Sequence, residues 1–236
     1  MKLLFAVAFL GLLPGASLLS PAALPRLASP GASALAPAPD STTVRLHYGA
    51  ENAELDELLG RVLGVEKHHL VFQDRRLAGR HLHFTLQEYQ RGVPGPEKPL
   101  SSDNSLTQLD SAGRYQFTIY SRQKTDNQAE NMFVLPRAYM PRRFSTSPGQ
   151  VGSYSLRFDI HALRRAADQA GGTPASPVQA FRLPLGTPAI FAVYTPPYEK
   201  EGMYYYCNLA QSRVPVADWY AKFKVPHFVV YRVRVE

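Results

Sequence analysis

A chain of 236 residues with 45% hydrophobic and 19% charged content holds enough apolar side chain for one globular domain or two small ones, which excludes a wholly disordered protein. Its formal charge of +7 is spread over separate groups, Arg75, Arg76 and Arg80; Arg137, Arg142 and Arg143; Arg164 and Arg165; Arg232 and Arg234. None is the run of five or six cations that marks a nucleic-acid arm, so nucleic acid is excluded as a partner.

The first elements lie in the first forty residues. Lys2 precedes an apolar run from Leu3 to Leu13, broken by Pro14-Gly15, and a stretch of small residues and proline continues to Pro39. A short basic end, an apolar core and small residues predict an export signal. The core is too short for a spanning helix, which needs about twenty residues. Cleavage is expected after Ser17 in Gly15-Ala16-Ser17, with Ala32-Ser33-Ala34 as the alternative. This predicts a signal peptide over 1–17, an Ala/Pro-rich flexible tether over 18–40 and a single β-rich globular domain over 41–236. An uncleaved signal acting as an anchor is the lesser alternative. No transmembrane span is expected in the mature chain.

Cys207 is the sole cysteine, so no intramolecular disulfide forms, and no Cys follows the apolar run to carry a lipid. No Asn-x-Ser/Thr occurs either. These features point to a periplasmic or secreted bacterial protein that is not a lipoprotein.

From Asn52 to Leu63, Leu55, Leu58, Leu59, Val62 and Leu63 recur at helical spacing, with acids toward the N-terminal end and Gly64 as a stop. The pattern predicts a short amphipathic helix lying on something apolar. His68–Gln73 and His81–Tyr89 read as strands of a hairpin. Arg91–Ser105 reads as a Pro/Gly-rich loop. A second hairpin is predicted from Tyr115–Arg122 and Asn131–Leu135, turning through Lys124–Asn127. Pro136–Gln150 reads as a second long loop, Tyr154–Ile160 as a strand, and His161–Gln169 as one or two helical turns.

The C-terminal third is best patterned. Val178–Leu183, Ala189–Thr195 and Met203–Leu209 read as strands. Val216, Trp219, Tyr220 and Phe223 form the stripe of a short helix, started near Pro215 and ended by Pro226. His227–Val235 closes the chain as a strand with Val229, Tyr231, Val233 and Val235 on one face. Thirteen Tyr and twelve Phe against one Trp favour strands. The fold class predicted is mainly β, with α+β as the alternative: an antiparallel β-sandwich or open barrel with two short amphipathic helices at an end or edge.

Three features bear on chemistry. If the first hairpin pairs Leu70 with Leu82, His69 faces His83 and His81 lies diagonal to His69, at roughly 5 Å and 7–8 Å between Cβ atoms. Three imidazoles so placed suit zinc or copper with an open position for water, although a one-residue slip dissolves the group and a solvent-facing strand explains it as well. Cys207 follows an apolar run and reads as a small buried hydrophobe. Glu88 and Asp159 cannot be placed together as a carboxylate pair. Tyr and Trp concentrate late in the chain, and Tyr198, in Pro196-Pro197-Tyr198, is the exposed candidate for stacking on a sugar or anchoring a protein. The two long loops are the expected recognition elements, with Arg137, Arg142 and Arg143 placed to hold a carboxylate or phosphate.

The sequence therefore points to an exported, non-catalytic binding or structural module of a bacterial envelope. Its partners would be an envelope glycan, an anionic polymer or a protein, and it needs no cofactor. A metal-dependent envelope hydrolase using His69, His81 and His83 is one alternative. A structural subunit of an export or adhesion assembly, working through its sheet edges, is the other.

Overall fold

The computed structural model describes residues 40–146, 153–158, 178–206, 212 and 214–236. The chain divides into two units, Met1–Ala38 and Pro39–Glu236, and the described residues belong to the second. The predicted signal peptide, most of the tether, His161–Gln169 and Cys207 lie outside them. Among the described residues no helix is long and apolar enough to cross a membrane.

Among the described residues the fold is mainly β and antiparallel, with two short helices and no closed barrel. In chain order it runs β1 (Ser41–Tyr48), α1 (Ala53–Glu57) continued by a π turn over Leu58–Val62, β2 (Val65–Gln73), β3 (Leu82–Gln90), β4 (Val93–Pro94) and β5 (Lys98–Pro99). β6 (Arg114–Thr125), β7 (Gln128–Leu135), β8 (Ala138–Ser145), β9 (Ser155–Phe158), β10 (Val178–Pro184) and β11 (Ala189–Thr195) follow. β12 (Tyr198–Lys200), β13 (Met203–Tyr205), α2 (Trp219–Phe223) and β14 (His227–Val235) complete it.

One sheet has the order β10-β1-β2-β6-β7-β8, and the other β4-β3-β14-β11-β9 with β5 also on β3. Their inner faces meet in one apolar core. Val44, Leu70, Phe117 and Phe133 come from the first sheet, and Phe84, Phe191, Tyr231 and Val233 from the second. Alternation on β14 sends Val229, Tyr231, Val233 and Val235 inward, as their spacing predicts. Phe228 and Val230 point the other way and are also buried, beneath a cover made of α2 and the β12–β13 hairpin. Trp219 is fully buried there, and its Nε1–H donates to Val214 O at 3.0 Å. A strand apolar on both faces thus creates a third layer.

The hairpin expected between β2 and β3 does not form. Both edges of β2 are occupied, by β1 and by β6, and β3 pairs with β14 in the other sheet. The intervening segment crosses between the sheets. Leu77 is buried in the core, and Asp74 accepts from Arg76 and donates its N–H to Gly113 O at 2.9 Å. Gly113 has φ +69, and a Cβ there would lie 1.9 Å from Asp74 O, so this crossing requires glycine. The β6–β7 hairpin forms as predicted.

Pro136–Gln150 contains a strand where a loop was expected: β8 pairs with β7 throughout, with Met140 and Phe144 buried two alternations apart. It lies at the rim of its sheet, where Pro141 is tolerated because its missing N–H faces no partner. Proline recurs on the other rims, Pro184 in β10, Pro94 in β4 and Pro99 in β5. The rim strand β9 is treated differently. Glu66 reaches across from β2 to accept from Ser155 Oγ and, at 2.9 Å, from Leu156 N–H. Burial alone would raise the Glu66 carboxyl, but His68, Ser155 and the Leu156 N–H together hold it below the usual carboxylate range.

Helix α1 does not lie on an apolar surface. None of its residues is buried. Polar pins hold it instead: Asn52 Oδ1 caps the N–H groups of Glu54 and Leu55, and Asp56 Oδ1 accepts from Ala50 N at 2.8 Å.

Candidate functional site: a cleft between two converging segments

The two segments singled out as recognition elements meet at one place. The chain leaving β3 turns through Arg91 and Gly92, both with positive φ, and Arg91 N–H donates to Pro226 O at 2.7 Å. A Cβ on Gly92 would approach Tyr220 Cβ to 3.2 Å, so the turn is fitted tightly against α2. The returning strand is tied down by Gly95 N–H to Glu88 O at 2.7 Å and by Gln87 Nε2 to Gly95 O at 2.9 Å. Across the cleft, β8 ends at Ser145 and is followed by Thr146, whose Oγ1 donates to Asp126 O. Between them lies a cleft of about 980 Å³, lined among others by Glu88, Arg91, Lys98, Ser145, Thr146 and His227.

Its charge is uneven. Arg91 and Lys98 are exposed and make no salt bridge among the described residues. Glu88, the one carboxylate of the lining, is turned to His227, whose Nε2 lies 3.5 Å from Glu88 Oε2. The His227 contact first, and then the nearby Lys98 charge, hold the Glu88 carboxyl below the usual range despite its partial burial. His227 is itself 3% exposed, and its Nδ1 lies 3.0 Å from Tyr154 Oη. Its Nε2 is buried without a hydrogen bond, with Glu88 Oε2 as its charged neighbour. Beside the Glu88–His227 contact, the cleft presents Arg91 and Lys98, two exposed cations against one carboxylate. That is a geometry for holding a negative charge.

A second, smaller cleft of about 400 Å³ lies beside the β7–β8 turn, and Arg137 lines it together with Arg114, Asp110 and Gln116. The other two predicted arginines face elsewhere. Arg142 donates to Leu100 O and Pro141 O and thereby ties β8 to the Arg91–Ser105 segment. Arg143 Nε donates to Glu130 Oε1 at 3.0 Å, beside Arg122 and Lys124. Burial would raise the Glu130 carboxyl, yet Arg143, Arg122 and Lys124 keep it lowered. Arg137, Arg142 and Arg143 do not converge.

Tyr198 is not exposed. It lies in β12, 4% accessible, with its ring 5.2 Å from Phe223 and 5.9 Å from Tyr205. It belongs to the α2 cover, whereas Tyr204, on the paired strand β13, is exposed.

His69 lies apart from His81 and His83, whose ring centroids stay 6.4 Å apart. His69, on β2, lies opposite His47, with ring centroids 6.0 Å apart, and its Nδ1 is 3.0 Å from Thr118 Oγ1. Burial first, then the nearby His47 and Lys67, lowers its pKa. His83 belongs to the other sheet, where its Nε2 lies 2.9 Å from Glu236 Oε2; His81, just before β3, bridges to Gln108, and its Nδ1 meets Asn104 O. The pairing that would gather them is the β2–β3 hairpin, which does not form. Among the described residues no group of three or more His, Cys, Asp or Glu is placed to hold a metal ion.

Sequence reasoning marked both segments of the cleft and, of its carboxylate and cations, weighed only Glu88, as half of a carboxylate pair. Arg91 begins the predicted loop and Lys98 lies within it, so the signal was present; that Glu88 and His227 meet depends on the β3–β14 register, in which Glu88 lies opposite Val229. Comparisons with protein-family models, curated proteins and solved structures found no match.

Proposed function

We propose that the chain is an exported, periplasmic or secreted, non-catalytic binding module of a bacterial envelope, and that its ligand is an anionic segment of an envelope polymer held in the cleft between the Arg91–Lys98 turn and the end of β8. The single observation that carries this reading is the exposed Arg91 and Lys98 pair facing a cleft whose one carboxylate is occupied by His227. The net charge of +7 adds long-range attraction for the same class of ligand.

The test uses polygalacturonate as the anionic probe and neutral dextran as its control, with the full chain immobilised. Tighter binding of polygalacturonate is expected, falling as salt rises. The Arg91→Ser/Lys98→Ser pair is expected to lower that affinity about tenfold, which corresponds to 1.4 kcal/mol. Arg75→Ser/Arg80→Ser removes the same charge elsewhere and is expected to change it little. Equal binding of both polymers, or equal losses in the two variant pairs, would refute the proposal.

A further inference from the structure

The π-extended helix α1 carries an apolar face that nothing in its own sheet covers. Leu55, Leu58, Val62 and Leu63 are 44%, 46%, 69% and 54% accessible. A helix this short is marginal in water by itself. Here it is kept by polar contacts that leave the apolar side chains out of the fold: the Asn52 cap, the Asp56 bond to Ala50 N, and the turn at Gly49, whose N–H donates to Lys67 O at 2.9 Å. The π turn closes through Leu63 N–H to Leu58 O at 3.0 Å, widening the helix where the leucines emerge. Such turns recur at functional positions in helices.

The rim decides the occupant. Glu51, Glu54, Asp56 and Glu57 are exposed in and beside this helix against a single cation within it, Arg61, which pairs with Glu57 at 3.2 Å. This is a negative island on a chain of net charge +7. A second copy laid symmetrically on the same face would set acids against acids, and an anionic lipid surface would repel the rim. We infer that this face docks a basic amphipathic helix of another protein, its leucine-like side chains on Leu58 and Val62 and its lysines or arginines on Glu51 and Glu54. Helix-in-groove recognition reads such spaced anchors, and complementary charge sets its specificity.

The probe is a labelled eighteen-residue synthetic helix of leucine and lysine at amphipathic spacing, titrated with the full chain by fluorescence anisotropy. The same peptide with glutamate in place of lysine is the control. The lysine peptide is expected to bind at least tenfold more tightly than the glutamate peptide. Leu58→Ser/Val62→Ser is expected to abolish that binding while leaving the circular dichroism spectrum and melting temperature unchanged, because both side chains are exposed. Arg91→Ser/Lys98→Ser is expected to leave it intact, so this site stands or falls apart from the cleft. Equal binding of both peptides would overturn the inference, as would undiminished binding by Leu58→Ser/Val62→Ser. So would stronger binding to phosphatidylglycerol vesicles than to the lysine peptide, or concentration-dependent dimerisation that Leu58→Ser/Val62→Ser removes.

Discussion

Helices α1 and α2 start from one pattern and end in opposite surroundings. In each, apolar side chains recur every three or four residues over about ten positions. In α2 the stripe delivers Trp219 into a fully buried seat against Phe228 and Val230. In α1 no residue is buried. The cause lies in the strand beneath. β14 is apolar on both faces, so its outer side offers a seat, whereas the outer side of β1, β2 and β6 carries His47, His69 and Thr118 in register. Periodicity states which residues share a face; the neighbouring strand decides whether that face is covered.

Four measurements break or sharpen this contrast. The largest effect is expected from Trp219→Ala, which empties the α2 seat and strands Val214 O. A loss of about 3–5 kcal/mol in urea unfolding is expected. A loss below about 1 kcal/mol would make α2 a loosely attached cover like α1.

Next come the pins of α1. Asn52→Ala and Asp56→Ala are each expected to cost about 1 kcal/mol locally, read as faster amide exchange over Ala53–Val62. Exchange in β14 should stay unchanged. Accelerated exchange in β14 would mean that α1 is part of the cooperative fold after all.

Acid titration tests the carboxylates that tie the sheets, which neither helix supplies. Asp74 is held down to about 2, first by its bond with Arg76, and Glu66 is held below its ordinary 4.5. Both are lowered in the folded chain, so the stability they add is full above the unfolded values and is lost as pH falls through the folded ones. The urea midpoint is therefore expected to fall from about pH 5 toward pH 2. Asp74→Asn should flatten the lower part of that slope, and an unchanged slope would remove Asp74 from the account.

The smallest effect is expected from Leu58→Ser, which should shift stability by less than about 0.5 kcal/mol. A larger loss would show that the leucine is covered in solution.

Much of the fold was legible because strand alternation is local. β6, β7, β11 and β14 follow from it directly, and so does the helix around Trp219. β1 also alternates, with Thr42, Val44 and Leu46 inward, but this short signal beside the Pro-rich stretch went unread. β8 was hidden by Pro141 and two arginines, although Met140 and Phe144 carried its period. Pairing was the illegible part. Nothing in Asp74–Arg80 distinguishes a hairpin turn from a crossing between sheets until Leu77 is seen to plug the core and both edges of β2 to be taken. The candidate site inherits that limit, since a cleft assembled by β3, β8 and β14 depends on non-local register.

The prolines on the rim strands have a consequence for how copies of this chain behave when crowded. Strand-by-strand growth needs an unbroken row of amide donors along an open rim. Pro141, Pro184, Pro94 and Pro99 interrupt those rows, and on β9 the Leu156 N–H is already given to Glu66. Arg142 and Arg143 add like charge beside the first interruption. Strand addition is thereby disfavoured at these points along the rims.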